Sequence, residues 1–195
     1  MFLFFAVIAA ALALAVILGG DVQRLSQIKL RRPELLLGAF AVKVGVALLG
    51  LTHASLLLAL ARPLNVLGAA LLLGDVWINR HLPGALVFGA GLSLNLLALL
   101  AFGGRMPVLL PDGLGAGSPG LALLRHGLDP LHVVLASPQG LWFIGDILTV
   151  PSLNGHYAVV SAGDLLMAAG IAWLILRISL RRPAPQPAFR PTTPA

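Results

Sequence analysis

The chain has 195 residues, of which 58% are hydrophobic and 10% are charged. A soluble domain is typically about 45–50% apolar and about 25% charged, so this chain has too few charges to cover itself with a water-facing surface. The composition therefore excludes soluble globular, disordered and coiled-coil proteins, and the absence of cysteine excludes a disulfide framework. The class that remains is a multi-pass membrane protein.

The positions of the charges exclude nucleic acid as a partner. A net charge of +6 would ordinarily suggest one, but binding to nucleic acid requires a solvated basic stripe that meets the phosphates. The basic residues of this chain instead stand at the ends of apolar runs, which is typical of the cytoplasmic side of a membrane protein. We therefore expect a lipid bilayer as the principal partner.

Five apolar runs predict an all-α integral membrane helical bundle, because a helix needs about 20 largely apolar residues to cross a bilayer. The first run lacks the basic start and the small-residue cleavage site of a signal peptide, so we interpret it as a permanent anchor. Arg62-Pro63 leaves open a version in which the second helix continues to Ala61 and Arg62-Pro63 forms the turn. The predicted spans are residues 2–18, 35–51, 55–78, 84–102 and 165–180.

The distribution of lysine and arginine predicts the orientation of the bundle. With the N-terminus outside and the C-terminus inside, nine basic residues face the cytoplasm and two, Arg105 and Arg125, face outward. We therefore predict a multi-pass protein of the bacterial cytoplasmic (inner) membrane. It has a single membrane domain at 1–182, an outer segment at 103–163 and a disordered proline-rich cytoplasmic tail at 183–195. The nine cytoplasmic residues are Arg24, Lys29, Arg31, Arg32, Arg80, Arg177, Arg181, Arg182 and Arg190.

Short interfacial elements are expected on both sides of the bundle. Residues 21–33 are predicted to form a basic turn or short helix with Leu25, Ile28 and Leu30 facing lipid. In the outer segment, two glycines at 103 and 104 permit a turn that other residues resist. The apolar runs at 121–134 and 141–150 are too short to span, so we predict interfacial or re-entrant helices there.

Polar side chains inside the spans are candidates for ligand binding, because an ionisable group at mid-bilayer costs roughly 2.5–3.5 kcal/mol. Lys43, Asn65 and Asn95 fall at similar depth, Arg62 lies nearer the outer face, and no carboxylate lies at mid-depth beside Lys43. The group is suited to a cavity that receives a lipid phosphate or a carboxylate. The simpler interpretation, which we favour, is that Lys43 and Arg62 extend to the interface and the asparagines bond between helices.

Acidic and histidine side chains of the outer segment are candidates for chemistry. Asp146 and Asp164 each follow a glycine and resemble, weakly, the aspartate pair of an intramembrane protease; we favour Asp164 as an N-cap of the last helix. A second set is suited to metal binding, but we favour ordinary titrating interfacial residues, so no metal site is predicted and no cofactor is assigned. That set is His126, Asp129, His132 and His156, with Asp112.

The chain resembles a bacterial membrane-protein family known as domain of unknown function 5317. The resemblance lies in Asn95 of the fourth span, the GGRMPV sequence at 103–108, the GDI sequence at 145–147 and the VSAGD sequence at 160–164. The family has asparagine where this chain has Phe102. The resemblance implies the membrane architecture and marks polar residues to test, but it implies no activity.

Three functions are compatible with these features. The leading hypothesis is a non-enzymatic accessory, lipid-handling or small-molecule-handling component, whose outer layer around Arg105, Asp146 and Asp164 recognises a lipid or another membrane protein. The second is a membrane-embedded hydrolase or transferase that acts on a lipid-linked substrate through Asp129, His132, Asp146, His156 and Asp164. The third is a small transporter that works as a homo-oligomer, since five spans without an inverted repeat are too few alone.

Overall fold

A computed structural model describes residues 2–50, 55–110, 124, 129, 131–151 and 157–181. These residues are mostly helical and also contain a small β-sheet. The α-helices are α1 (Phe2–Ile17), α2 (Pro33–Gly50), α3 (Ser55–Ile78), α4 (Ala85–Ala101) and α5 (Ala162–Ser179), with short 3₁₀ helices at Val22–Gln27 and Trp142–Ile144. The strands are β1 (Met106–Val108), β2 (His132–Val134), β3 (Asp146–Pro151) and β4 (Tyr157–Ser161).

The helices follow the predicted apolar runs closely. Ala59–Ile78 and Ala162–Ser179 are long and apolar enough to cross a membrane, while Phe2–Ile17 and Ala85–Ala101 are apolar but shorter. Pro63 lies inside α3, so the version that placed a turn at Arg62-Pro63 is wrong. The proline-rich tail falls outside the described residues.

The described part of the outer segment corrects the all-α prediction, because it forms a four-stranded sheet. Within the runs at 121–134 and 141–150, where helices were predicted, His132–Val134 and the start of Asp146–Pro151 are strands. Most of 121–130 lies outside the described residues. The strand order is β2-β1-β3-β4, with β1 parallel to both β2 and β3, and β3 antiparallel to β4. The strands are rich in β-branched residues, as in the HVV sequence of β2 and the YAVVS sequence of β4. Short apolar runs of this kind fit a strand as well as a helix, and β-branched content decides between them.

Helices α4 and α5 pack at backbone contact through glycines. A Cβ atom on Gly91 would lie 2.3 Å from the carbonyl oxygen of Gly163, and one on Gly84 would lie 2.1 Å from that of Gly170. No side chain larger than hydrogen fits at such distances. The two helices therefore pack closely along their glycine-containing faces.

The main apolar core lies where the helices meet the sheet. Leu92, Ala98 and Leu99 of α4 pack with Met106 of β1 and Ile144 of the second 3₁₀ helix. The sheet is therefore anchored on the end of α4 rather than lying free on the surface. The turn at Gly103 and Gly104 makes this return possible, and both residues have positive φ.

Hydrogen bonds gather the helix ends at the opposite end of the molecule. The Asn79 side chain accepts a hydrogen bond from the backbone N–H of Arg31 (2.7 Å) and donates one to its carbonyl oxygen (3.0 Å). The backbone N–H of Asp21 donates to the carbonyl oxygen of Ser179 (2.9 Å). These contacts tie the segment after α1 to the C-terminal ends of α3 and α5.

Candidate functional site

The sheet brings together polar side chains of β2, β3 and β4. In the parallel pairing of β1 with β2, Met106 lies opposite His132, and in the hairpin of β3 with β4, Asp146 lies opposite Ser161. His132 is in register with the first residue of β1 and Asp146 with the last, so β2 and β3 flank β1 and the two side chains lie 3.9 Å apart. His132 and Asp146, which are distant in sequence, thereby become neighbours.

A cavity of about 310 Å³ lies between the sheet and helices α2 to α5. Lys43 is itself exposed, so the cavity is open at its α2 end. The polar lining residues are Lys43, Asn65, Asn95, His132, Asp146 and Asp164. The remaining wall is formed by Ala69, Leu72, Leu92, Leu99, Met106, Leu131 and Met167.

One end of the cavity presents a cation. The ammonium of Lys43 donates a hydrogen bond to Oδ1 of Asn65 (2.6 Å), and Nδ2 of Asn65 donates to the carbonyl oxygen of Gly104 (3.2 Å). Asn65 is buried, so its orientation is fixed by these two bonds. Lys43 forms no ion pair with any carboxylate among the described residues. Its charge is therefore left to be balanced from the cavity.

The junction of α4 and α5 supplies a second polar group. Nδ2 of Asn95 donates to Oδ1 of Asp164 (2.8 Å), and the Ser161 hydroxyl donates to Oδ1 of Asn95 (2.8 Å). Ser161 is the N-cap of α5 and forms a capping box with Asp164. The prediction of Asp164 as the N-cap is therefore wrong by three positions, whereas the predicted bonding of the asparagines between helices is confirmed.

A third group consists of Asp129, His132 and Asp146. Oδ2 of Asp129 lies 2.8 Å from Nδ1 of His132, and Oδ1 of Asp129 accepts hydrogen bonds from the backbone N–H groups of Leu131 and His132. The other imidazole nitrogen, Nε2, lies 3.9 Å from Oδ2 of Asp146. Asp146 is 9% exposed, and its buried Oδ1 has no hydrogen-bond partner among the described residues.

Burial and neighbouring charges shift the pKa values of this third group. Burial, together with the charge of Asp164 and against an opposing effect of His132, raises the pKa of Asp146 to about 7. Burial lowers the pKa of His132, but the hydrogen bond and charge of Asp129, with the charges of Asp146 and Asp164, outweigh burial and raise it overall. Burial opposes ionisation of Asp129, yet its pKa is lowered by the hydrogen bonds that it accepts. The group therefore favours an ionised Asp129–His132 pair beside a carboxyl group that titrates near neutral pH.

Glycine at 145 explains how β3 brings Asp146 into this position. A Cβ atom on Gly145 would lie 2.3 Å from the carbonyl oxygen of Pro107, so the start of β3 meets β1 at backbone contact. The glycine that precedes this aspartate is therefore required by strand packing. The same argument applies to Gly163 before Asp164, whose Cβ atom would lie 2.0 Å from Oδ1 of Asn95.

The structure unites residues that the sequence assigned to separate hypotheses. Both the helix set and the outer set of polar candidates contribute to the cavity, while Asp129 supports His132 beside it. Arg62 is exposed and Arg105 is half-buried, and neither lines the cavity. Among the described residues no three histidine or acidic side chains are arranged to hold a metal ion. Asp112, Arg125, His126 and His156 fall outside the described residues.

Several residues that form or support the cavity were not predicted from the sequence. Ser161 carried a detectable signal, since serine three residues before an acidic residue at a helix start is a capping-box pattern. The carbonyl of Gly104 and the thioethers of Met106 and Met167 carried none, because their contribution depends on the path of the backbone. Nδ2 of Asn95 lies 3.8 Å from the Met167 sulfur.

Comparison with known proteins agrees with the extent of this architecture. The sequence profile of DUF5317, described as a family of unknown function, matches residues 27–176. The chain belongs to the DUF5317 family. The matched region contains every residue that lines the cavity, and the resemblance seen in the sequence is confirmed.

A relative from Thermotoga maritima, described as an uncharacterized protein, is 30% identical over 96 residues. The alignment covers 49% of this chain and 52% of the relative, so the match spans about half of each protein. No solved structure matches the chain.

Proposed function

We propose that this DUF5317 member is a multi-pass protein of the bacterial inner membrane that binds a zwitterion with a primary ammonium group in the cavity. It acts as a non-enzymatic lipid-handling or small-molecule-handling component. The observation that carries the proposal is the placement of Lys43 and the buried carboxyl group of Asp146 in the walls of one cavity.

The charges of the walls define the ligand. Lys43 has no described carboxylate partner, so it would receive the anionic end, a phosphate or carboxylate. Asp146 has an oxygen without a hydrogen-bond partner, so together with Asp164 it would accept hydrogen bonds from the ammonium end. A buried polar atom without a partner costs about 1–3 kcal/mol, and such a ligand would remove this cost.

The size of the cavity limits the ligand to a headgroup or a free molecule of the same chemistry. A volume of about 310 Å³ lies at the lower end of the range of about 300–1,000 Å³ typical of small-molecule sites. The opening at Lys43 would admit a lipid headgroup from the side. The apolar wall suits the short methylene segment between the two charges of an ethanolamine phosphate.

Membrane placement is supported by the surfaces of the helices. Two helical segments are long and apolar enough to span, and large apolar side chains on the other helices face outward. Phe5 of α1, Phe40 of α2 and Leu86 of α4 are 69%, 67% and 64% exposed, respectively. Exposed apolar surface on this scale requires a covering apolar phase or partner. We propose that all five helices span, with the N-terminus outside.

Binding is tested with two sources of the same chemistry. Free phosphoethanolamine is titrated into the detergent-purified chain, with thermal unfolding as the readout. Phosphatidylethanolamine in phosphatidylcholine nanodiscs is assayed by native mass spectrometry. We expect Lys43→Met and Asp146→Asn to weaken binding about tenfold or more, because a hydrogen bond to a charged group contributes about 1.5–3 kcal/mol. Glu34→Gln, an exposed change outside the cavity, is the control.

The outcomes identify the source of the ligand and also test the proposal. Binding of free phosphoethanolamine identifies a soluble ligand, and binding of the lipid alone identifies a headgroup. Glycerol 3-phosphate, which lacks the ammonium, should not stabilise the protein. The proposal is wrong if neither probe binds or if both cavity variants bind as the wild-type chain does.

A second candidate, a hydrolase or transferase acting on a lipid-linked substrate, is favoured by the Asp129–His132 pair. Asp129 orients the imidazolium through Nδ1, which leaves the Nε2 N–H near the cavity as a general acid. In the same nanodiscs, an enzyme would release a lipid product over hours, and His132→Gln would stop this release without weakening binding. The transporter and homo-oligomer hypotheses stay predictions.

A further inference from the structure

Two further cavities lie at the end of the molecule opposite the sheet. One, of about 520 Å³, is almost entirely apolar and is lined by residues of the 3₁₀ segment and helices α2 to α5. Its wall includes Leu25, Ile28, Leu36, Phe88 and Leu174. Leu25, Ile28 and Leu30, which were predicted to face lipid, line this open groove, and Leu30 is 37% exposed.

The adjoining cavity is basic. It has a volume of about 780 Å³ and shares Ile28, Leu82 and Pro83 with the apolar cavity. Its charged lining residues are Asp21, Arg24, Lys29 and Arg181, with His81 beside them. The two cavities therefore adjoin at these three residues, and the basic cavity forms a positively charged entrance beside the apolar one.

Two of the basic side chains at this entrance have no ion-pair partner among the described residues. Asp21 pairs with Arg24 (3.2 Å), and the Arg24 guanidinium also donates to the carbonyl oxygen of Arg181. Lys29 and the guanidinium of Arg181 form no ion pair with a described carboxylate. Both residues are exposed. The entrance therefore carries positive charge that nothing in the described part of the chain balances.

We propose that this groove binds an acidic phospholipid, with one acyl chain in the apolar cavity and the phosphate at Lys29 and Arg181. Basic pockets between helices on the cytoplasmic side are suited to anionic headgroups, and in the proposed orientation this end is cytoplasmic. A soluble anion would leave the apolar cavity unfilled. A peptide would bury backbone polar groups against a wall whose polar side chains, Asp75 and Asn79, already bond to each other (3.0 Å).

The inference rests on the membrane placement in the proposed function but not on its zwitterion cavity. The two sites use different residues, apart from Leu72, which contributes to both walls. Lys43→Met and Asp146→Asn should therefore leave acidic-lipid binding unchanged. If the chain binds acidic lipid but no zwitterion, the zwitterion proposal fails. If it binds a zwitterion but no acidic lipid, the acidic-lipid proposal fails.

The test measures lipid binding to the delipidated full chain in detergent by native mass spectrometry. Phosphatidylglycerol and its single-chain lyso form should both bind, while phosphatidylcholine and glycerol 3-phosphate should bind far more weakly. The double variant Lys29→Gln/Arg181→Gln should weaken phosphatidylglycerol binding about thirtyfold, since each basic group near an anionic headgroup contributes a factor of about five. Both side chains are exposed, so the variant should fold normally.

Arg80→Gln is the matched control. Arg80 lies at the same end, is exposed, and stacks over the Trp77 ring at 4.7 Å without lining either cavity. Its loss should not change lipid binding by more than about twofold. Equal binding of glycerol 3-phosphate and phosphatidylglycerol would overturn the acyl-chain assignment, and equal effects of Arg80→Gln and the double variant would overturn the headgroup assignment.

Discussion

Asp146 is held in an environment that opposes its ionisation. Its residue is 9% exposed, one carboxylate oxygen has no partner among the described residues, and Asp164 contributes a like charge nearby. Burial and this charge accordingly raise the pKa of Asp146 to about 7. A neutral or better-paired side chain would serve packing alone more effectively. This cost to stability supports a role for the carboxyl group in binding.

The shift in pKa predicts how stability depends on pH. Because the pKa of Asp146 is raised on folding, the folded chain binds more protons than the unfolded chain between the ordinary value of 3.8 and about 7. The free energy of unfolding should therefore fall as pH rises through this window, by up to about 1.4 kcal/mol per pH unit. Asp146→Asn should remove this part of the slope.

Thermal unfolding from pH 4.5 to 6.0 measures this slope for both proteins. The window excludes the ordinary pKa of His132, whose raised pKa contributes stability that is lost only above about pH 6.5. It also excludes Asp129, whose lowered pKa contributes stability that is lost only at more acidic pH. Parallel slopes for the wild-type chain and Asp146→Asn would show that Asp146 titrates normally.

At the scale of elements, the contact of α4 with α5 holds the cavity together. Gly163→Ala would place a Cβ atom 2.0 Å from Oδ1 of Asn95 and 2.6 Å from the carbonyl oxygen of Gly91. The helices must then separate, which disturbs the bonds of Asn95 to Ser161 and Asp164. We expect destabilisation of about 1–3 kcal/mol together with loss of zwitterion binding.

The control for this variant is Gly45→Ala in α2. A Cβ atom on Gly45 would meet no atom within 4 Å, and alanine favours a helix over glycine by about 0.8–1 kcal/mol. Thermal unfolding should therefore rank Gly45→Ala at or above the wild-type chain and Gly163→Ala below it. A Gly163→Ala chain as stable as Gly45→Ala would contradict the close packing.

The helices could be predicted from the sequence and the sheet could not, for a physical reason. Each helix is encoded locally, in an apolar run bounded by glycine, proline or charge. The strands β1 and β2 have three residues each and pair across a sequence separation of 26 positions, from Met106 to His132. Nothing local specifies that partner. The polar residues of the site could therefore be identified singly, while the convergence of Lys43 with Asp146 required the sheet.

At the scale of the whole molecule, the two ends differ in chemistry. The sheet end carries the cavity with Asp129, His132, Asp146 and Asp164, whereas the opposite end carries Arg24, Lys29 and Arg181. This separation agrees with the positive-inside rule if the sheet faces outward. In that orientation, the zwitterion cavity lies at the outer leaflet and the acidic-lipid groove at the inner leaflet. The orientation is therefore the premise that both binding proposals share.

Labelling of single cysteines tests this premise directly, because the natural chain has none. Five spans place Ser26 and His81 in the cytoplasm and Ser137 outside, and all three residues are exposed. A membrane-impermeant maleimide should label Ser137→Cys in intact spheroplasts, but Ser26→Cys and His81→Cys only after the membrane is permeabilised. If α3 and α5 alone crossed, His81 would share the side of Ser137. The bonds between Asn79 and Arg31 favour the first outcome, because they hold the turn after α3 beside the segment that contains Ser26. Labelling of His81→Cys together with Ser137→Cys would exclude the five-span topology.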